Sequence, residues 1–143
     1  MSDTRKVILN KCYGGYGFSV KAHKEYCKAK NIPCYVYVYT CDTNNSSILV
    51  KWDTDDEPNT AFIWYITKDN VNKLDDIHDE DMILLERVSR EDSTLIDIVE
   101  RLGKEANSRY SELKIVEIPN SIKEYVIDDY DGYETLHEKV QVW

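Results

Sequence analysis

The sequence predicts a single α+β domain spanning residues 1–143, mostly antiparallel sheet with two main helices and a C-terminal β-hairpin. Short apolar runs rich in Val, Ile and Tyr recur along the chain and are bounded by turn residues, as strands are. Two stretches instead carry a 3.6-residue apolar stripe behind a capping residue. Near the C-terminus, Asp131-Gly132 separates two strand-like segments, which suits a type I′ hairpin turn pairing Tyr130 with Tyr133.

Taken in order, residues 5–12 contain Val7-Ile8-Leu9, a run short enough for a strand with at least one buried face. A loop holding Gly14, Gly15 and Gly17 follows. Residues 19–30 read as a helix with Ser19 as N-cap, Lys28 and Lys30 at the negative end of the dipole, and Asn31 before Ile32-Pro33 as its stop. Residues 34–40 alternate Tyr35, Tyr37 and Tyr39 on one face with Cys34, Val36 and Val38 on the other. Strands are expected over 48–52 and 61–67 as well, so the first half reads as one β-α-β-β-β sheet. A short helical turn is expected near 71–74 and a further strand over 82–88. The second helix starts at Asp92 or Ser93 and carries the stripe Leu95, Val99, Leu102 and Ala106, with Gly103 inside it. Strands at 113–118, 124–129 and 134–143 complete the chain, and Trp143 is expected to be packed.

The formal net charge of -9 argues against direct nucleic-acid binding by the molecule as a whole. Its distribution is uneven. Residues 1–40 carry seven Lys/Arg against Asp3 and Glu25, whereas the other 103 residues carry eleven against twenty-five acids. Such a basic island either lies against the acidic remainder or forms a local anion site. No apolar run approaches a membrane span and residues 1–6 do not read as a signal peptide, so no membrane association or secretion is expected. Cys12, Cys27, Cys34 and Cys41 lack CxxC spacing and read as small buried hydrophobes in a reducing compartment, not as a zinc site or disulfide framework.

Three constellations bear on function. The order strand, glycine loop, capped helix suits either a tight structural turn or an anion cradle, in which backbone N–H groups and the helix start face a phosphate. Lys11, Tyr13, Gly14, Gly15, Tyr16, Gly17, Ser19 and Lys21 are the candidate ligand-binding residues, with Arg87 and Arg90 able to grip an anion bidentately or to join a charge network before the second helix. The spacing matches neither GxGxxG nor GxxxxGK[ST]. Tyr35, Tyr37 and Tyr39, together with Tyr130 and Tyr133, are candidate interface residues for a homodimer. The acidic groups at 53–57 and 75–81 lack the EF-hand pattern and read as solvated loops. No catalytic residue set, cofactor motif or metal site stands out.

The segment Asn10-Lys-Cys-Tyr-Gly-Gly-Tyr-Gly-Phe-Ser19, with Arg90-Glu-Asp92, Glu100-Arg-Leu-Gly103, Leu113-Lys-Ile-Val-Glu-Ile-Pro119 and Tyr130-Asp-Gly132, resembles an uncharacterised family of small proteins from large DNA viruses, including marseillevirus-like giant viruses, and from tailed phages. Residues 41–85 look divergent. The resemblance implies a viral accessory or virion-associated protein, in host cytoplasm or virion, and transfers no activity. The first functional expectation is therefore a non-enzymatic protein acting as a homodimer through contacts with a viral or host protein. The alternatives are a small anion- or nucleotide-binding protein using Gly14–Ser19, and a metal-dependent enzyme such as a nuclease.

Overall fold

The computed structural model describes residues 3–41, 43–45, 47–60 and 62–139. Two helices and seven antiparallel strands form an α+β domain in the order β1 (Thr4–Asn10), α1 (Val20–Lys30), β2 (Tyr35–Cys41), β3 (Ser47–Lys51), β4 (Ile63–Ile66), α2 (Ser93–Leu102), β5 (Leu113–Pro119), β6 (Tyr125–Tyr130) and β7 (Tyr133–Glu138). The strands make three separate small sheets, β1-β5, β3-β2-β4 and β6-β7.

This corrects the expected β-α-β-β-β sheet. β1 leaves the strands that follow it and pairs with β5, Val7 opposite Val116 and Ile8 opposite Ile115. The reason lies in its side chains, since successive residues of a strand point to opposite faces. Ile8 enters a core with Phe18, Ala22, Leu85, Leu95, Ile98 and Val99, between the helices. Val7 and Leu9 enter a second core with Ile118, against which Tyr125, Ile127 and Leu136 of the hairpin pack. An uninterrupted Val-Ile-Leu run is what a strand covered on both faces requires.

The helices form where their caps lie. Ser19 Oγ accepts from the Ala22 N–H at 3.0 Å, and Asn31 closes α1 in the left-handed region. Asp92 accepts from the Leu95 N–H at 2.9 Å to start α2. Gly103 does not continue α2: at φ 59° it terminates the α-helix, and residues 103–106 proceed as a 3₁₀ turn that still buries Ala106.

Residues 82–88 are not a strand. Met82 makes one bridge to Ile66 and the Ile83 N–H reaches the Tyr65 carbonyl at 2.7 Å, after which the chain turns into a 3₁₀ helix at Leu85–Arg87. Leu85 alone is drawn fully into the central core, a one-sided anchor that alternation does not describe. The expected turn near 71–74 falls slightly later, at Leu74–Asp76. The hairpin forms as read: Asp131 and Gly132 both take positive φ and Tyr130 pairs with Tyr133. The expected packing of Trp143 lies outside the described residues.

Opposite charges fold together. Arg5 pairs with Glu91, Lys6 with Glu100, Lys21 with Glu105 and Lys24 with Asp55, at 2.8–3.1 Å. The basic island is thus laid against the acidic remainder. Being half-exposed, these pairs contribute little stability each.

Candidate functional site

The glycine loop is built by close backbone approach. None of Gly14, Gly15 and Gly17 takes a positive φ. A Cβ on Gly14 would stand 1.9 Å from the Tyr110 carbonyl oxygen, and one on Gly132 would stand 2.0 Å from the Gly14 carbonyl oxygen. Three stretches of main chain therefore meet at Gly14, and only glycine allows the approach. The Gly15 N–H donates to the Tyr110 carbonyl at 2.9 Å, while Ser111 Oγ donates to the Gly17 carbonyl at 2.9 Å. The Gly15 amide that a phosphate cradle would need is therefore already engaged by the Tyr110 carbonyl.

Beneath the loop a support cluster ties β1 to the hairpin. Glu134 is 4% exposed in its side chain and accepts from Arg90 through both oxygens, at 2.6 and 2.8 Å, and from the Asn10 N–H at 2.8 Å. The Arg90 guanidinium also lies 3.7 Å from the Tyr16 ring centroid, a cation–π contact, and donates to the Ile8 carbonyl at 3.1 Å. Arg90 is thereby committed to holding Tyr16 and β1 in place.

A cleft of about 300 Å³ opens beside the loop, lined by Gly15, Tyr16, Gly17, Phe18, Glu57, Thr60, Ile63, Tyr65, Glu86, Ser108, Arg109 and Tyr110. Its size is that of a small ligand site. Two carboxylates converge on it. Glu57 Oε1 accepts from the Val20 N–H at 2.5 Å and so occupies the positive start of α1. Glu86 Oε1 lies 3.6 Å from the place a Cβ on Gly17 would take. Both residues keep exposed surface, yet the cleft walls remove enough water from their carboxyls to push each pKa up; for Glu57 the Val20 and Arg109 N–H groups oppose that rise. Burial likewise raises the phenols of Tyr16 and Tyr65, and the Tyr16 hydroxyl is buried without a hydrogen-bond partner among the described residues.

The rear wall is rigid. Tyr65 stacks face to face on His23, with ring centroids 3.4 Å apart and planes 2° from parallel. His23 Nδ1 lies 2.8 Å from the Ser19 carbonyl, which can only accept, so Nδ1 carries the proton. Complete burial lowers the His23 pKa to about 4, so the ring is neutral near pH 7. Across the mouth, Arg109 is hydrogen-bonded to Asn59 and lies 5.7 Å from the Tyr110 ring.

Of the residues expected to bind an anion, Gly15, Tyr16 and Gly17 line the cleft and Ser19 sits behind it as the helix cap. The others do not gather there. Lys11 Nζ donates to the Glu134 carbonyl at 2.6 Å and lies over Tyr133; Tyr13 stacks on Tyr133 at 5.3 Å. Gly14 is spent on the backbone junction, Lys21 on Glu105 and Arg90 on Glu134. Arg87 is exposed and makes no side-chain hydrogen bond or ion pair among the described residues. With Glu57 already at the start of α1, a phosphate entering this cleft would face two carboxylates.

Sequence reasoning missed Glu57, Tyr65, Glu86 and the 108–111 segment. Glu57 read as part of a solvated acidic loop, and Glu86 as part of a strand. The Ser-rich turn after α2 is the one sequence signal that could have nominated the far wall.

The expected tyrosine interface is also redistributed. Tyr37 is buried, its hydroxyl donating to Asp69 at 2.9 Å and accepting from the Val71 N–H at 3.3 Å. Tyr35 lies under Lys51 and Tyr39 meets Trp64 edge-on, both half-buried, so Tyr37 alone of that row is fully covered. Tyr130 stays 72% exposed, and Tyr133 is half-buried beneath Tyr13. Val36 and Val38 are buried as well, so both faces of β2 are covered.

Fold and site together define a small acidic α+β protein with an aromatic cleft that carries two carboxylates. No family model, no curated protein and no solved structure matches the chain. Among the described residues, no group of three His, Cys, Asp or Glu side chains is placed to hold a metal ion, and no helix is long and apolar enough to cross a membrane.

Proposed function

We propose that this is a non-enzymatic binding protein whose cleft receives an organic cation, an amine or guanidinium group, free or carried on the side chain of a partner protein. The convergence of Glu57 and Glu86 on an aromatic-walled cleft carries this reading. Partly desolvated carboxylates gain most from a positively charged, hydrogen-bond-donating guest, and tyrosine and phenylalanine rings add cation–π attraction. An overall charge of -9 draws such guests toward the protein. The setting suggested by the resemblance, a viral accessory protein contacting a viral or host partner, agrees with a lysine or arginine as the guest.

Titration calorimetry with agmatine, spermidine and tetramethylammonium, beside inorganic phosphate and ATP, tests it. At least one cation is expected to bind, and Glu86→Gln is expected to weaken binding about tenfold or more, the loss of one charge-assisted contact. Binding of phosphate or ATP in place of the cations would overturn the reading and restore the anion-binding alternative.

One observation favours a second reading. Tyr13 and Tyr130 are 73% and 72% exposed and lie at the same hairpin end, the kind of aromatic surface used in protein contacts. Light scattering behind size exclusion would show a dimer that Tyr13→Ser and Tyr130→Ser dissociate; a monomer at high concentration removes this reading.

A further inference from the structure

The rim of the cleft carries a charge that a cationic guest leaves unused. Arg109, on the segment after α2, lines the same cleft as Glu57 and Glu86. Its guanidinium donates to Asn59 Oδ1, two residues beyond Glu57 on the facing loop. Asn59 is neutral, and among the described residues no carboxylate pairs with Arg109. Glu57 is turned instead to the Val20 N–H at the start of α1, and Glu86 lies beside Gly17. Arg109 is exposed, so its charge stays hydrated at the rim. One cleft thus holds two acids and one base that do not neutralise each other. The nearby cations Arg90 and Lys21 are committed elsewhere, to Glu134 and Glu105.

We infer that the guest of this cleft is a basic amino acid with a free α-carboxylate, its side-chain cation received by Glu57 and Glu86 and its carboxylate held by Arg109. It is either the free amino acid or the C-terminal residue of a peptide, which present the same two poles. The inference rests on the cation reading above and adds the second pole to it. A guanidinium fork matches a carboxylate through two parallel hydrogen bonds, which a lone ammonium cannot do. The aliphatic stem between the poles is suited to the aromatic walls of Tyr16, Phe18 and Tyr65. A bare phosphate meets the two acids and a polyamine meets Arg109, each with repulsion. A molecule carrying both signs satisfies all three groups.

Titration calorimetry of the full chain at fixed ionic strength with L-arginine, agmatine, arginine amide and N-acetyl-L-arginine tests it. Agmatine and arginine amide keep the guanidinium, lack the carboxylate and carry more positive charge than arginine. Long-range attraction to a protein of net charge -9 therefore favours them, and the inference requires the reverse order. Arginine is expected to bind about tenfold tighter than either, the worth of one charge-assisted contact. Arg109→Gln should bring arginine down to the affinity of agmatine while leaving agmatine as tight or tighter. Arg109→Lys, which keeps the charge without the fork, should retain part of the preference. Given that preference, N-acetyl-L-arginine separates the two sources: bound tighter than agmatine, it extends the site to C-terminal residues; bound more weakly, it confines the site to the free amino acid. Arginine no tighter than agmatine, or a preference that survives Arg109→Gln, would overturn the inference and leave the cation reading standing. No binding by any of the four would overturn both.

Discussion

Removing the Glu134 carboxylate should unfasten the support beneath the cleft. Glu134→Ala leaves the Arg90 guanidinium, 23% exposed, without its bidentate partner, and the Asn10 N–H without its acceptor. Breaking one side of such a buried pair costs about 3–5 kcal/mol. Unfolding entropy near 2.1 cal/mol/K per residue gives this chain a slope of about 0.3 kcal/mol/K, so the melting temperature should fall by about 10–17 °C. Thermal and urea melts followed by circular dichroism read both quantities. Arg90→Ala should cost a comparable amount, and the double variant less than the two single losses together, with a coupling of about 1–3 kcal/mol. Because Arg90 also holds the Tyr16 ring, Glu134→Ala should weaken cleft binding beyond its effect on stability. A Glu134→Ala protein that melts within about 3 °C of the parent would refute the reasoning, since the pair would then be worth no more than a surface bridge.

Three further outcomes follow from the same geometry. Gly14→Ala forces a Cβ against the Tyr110 carbonyl and should lose about 3 kcal/mol in a urea melt, while Gly15→Ala, with open space around its Cα, should stay within about 1 kcal/mol. His23 is held neutral with a folded pKa of about 4 against about 6.5 unfolded, so the unfolded chain takes up the proton first. Its stability contribution is complete above about pH 6.5 and is lost as pH falls toward 4, to about 3 kcal/mol, and a His23→Gln variant should show a flatter urea midpoint across that window. Raised carboxyl pKa values at Glu57 and Glu86 mean that cation affinity should go on climbing as pH rises above the ordinary carboxylate range and then level, measured by calorimetry at each pH, with Glu86→Gln flattening the climb.

The fold was largely legible because most elements are specified locally. Ser19 and Asn31 bracket α1, the Asp92 cap opens α2, and Asp131-Gly132 sets a hairpin whose turn needs positive φ. What failed was pairing over distance. Nothing near Val7-Ile8-Leu9 says that its partner lies more than a hundred residues on, in β5. Local alternation also misread residues 82–88, where one buried leucine governs the path. For the site, the glycine loop was recognised but its glycines serve a backbone junction whose other members, Tyr110 and Gly132, come from remote turns. Glu57 and Glu86 were invisible as partners for the same reason, since loop acids look alike until folding seats one on a helix start.

The most direct test of the cation cleft is an amide chemical-shift titration of the labelled protein with agmatine. Shifts confined to Gly15, Gly17, Ser108, Arg109 and Tyr110, and lost in Glu86→Gln, are the predicted result. Shifts clustered elsewhere, or the same amides responding to phosphate and not to agmatine, would contradict it.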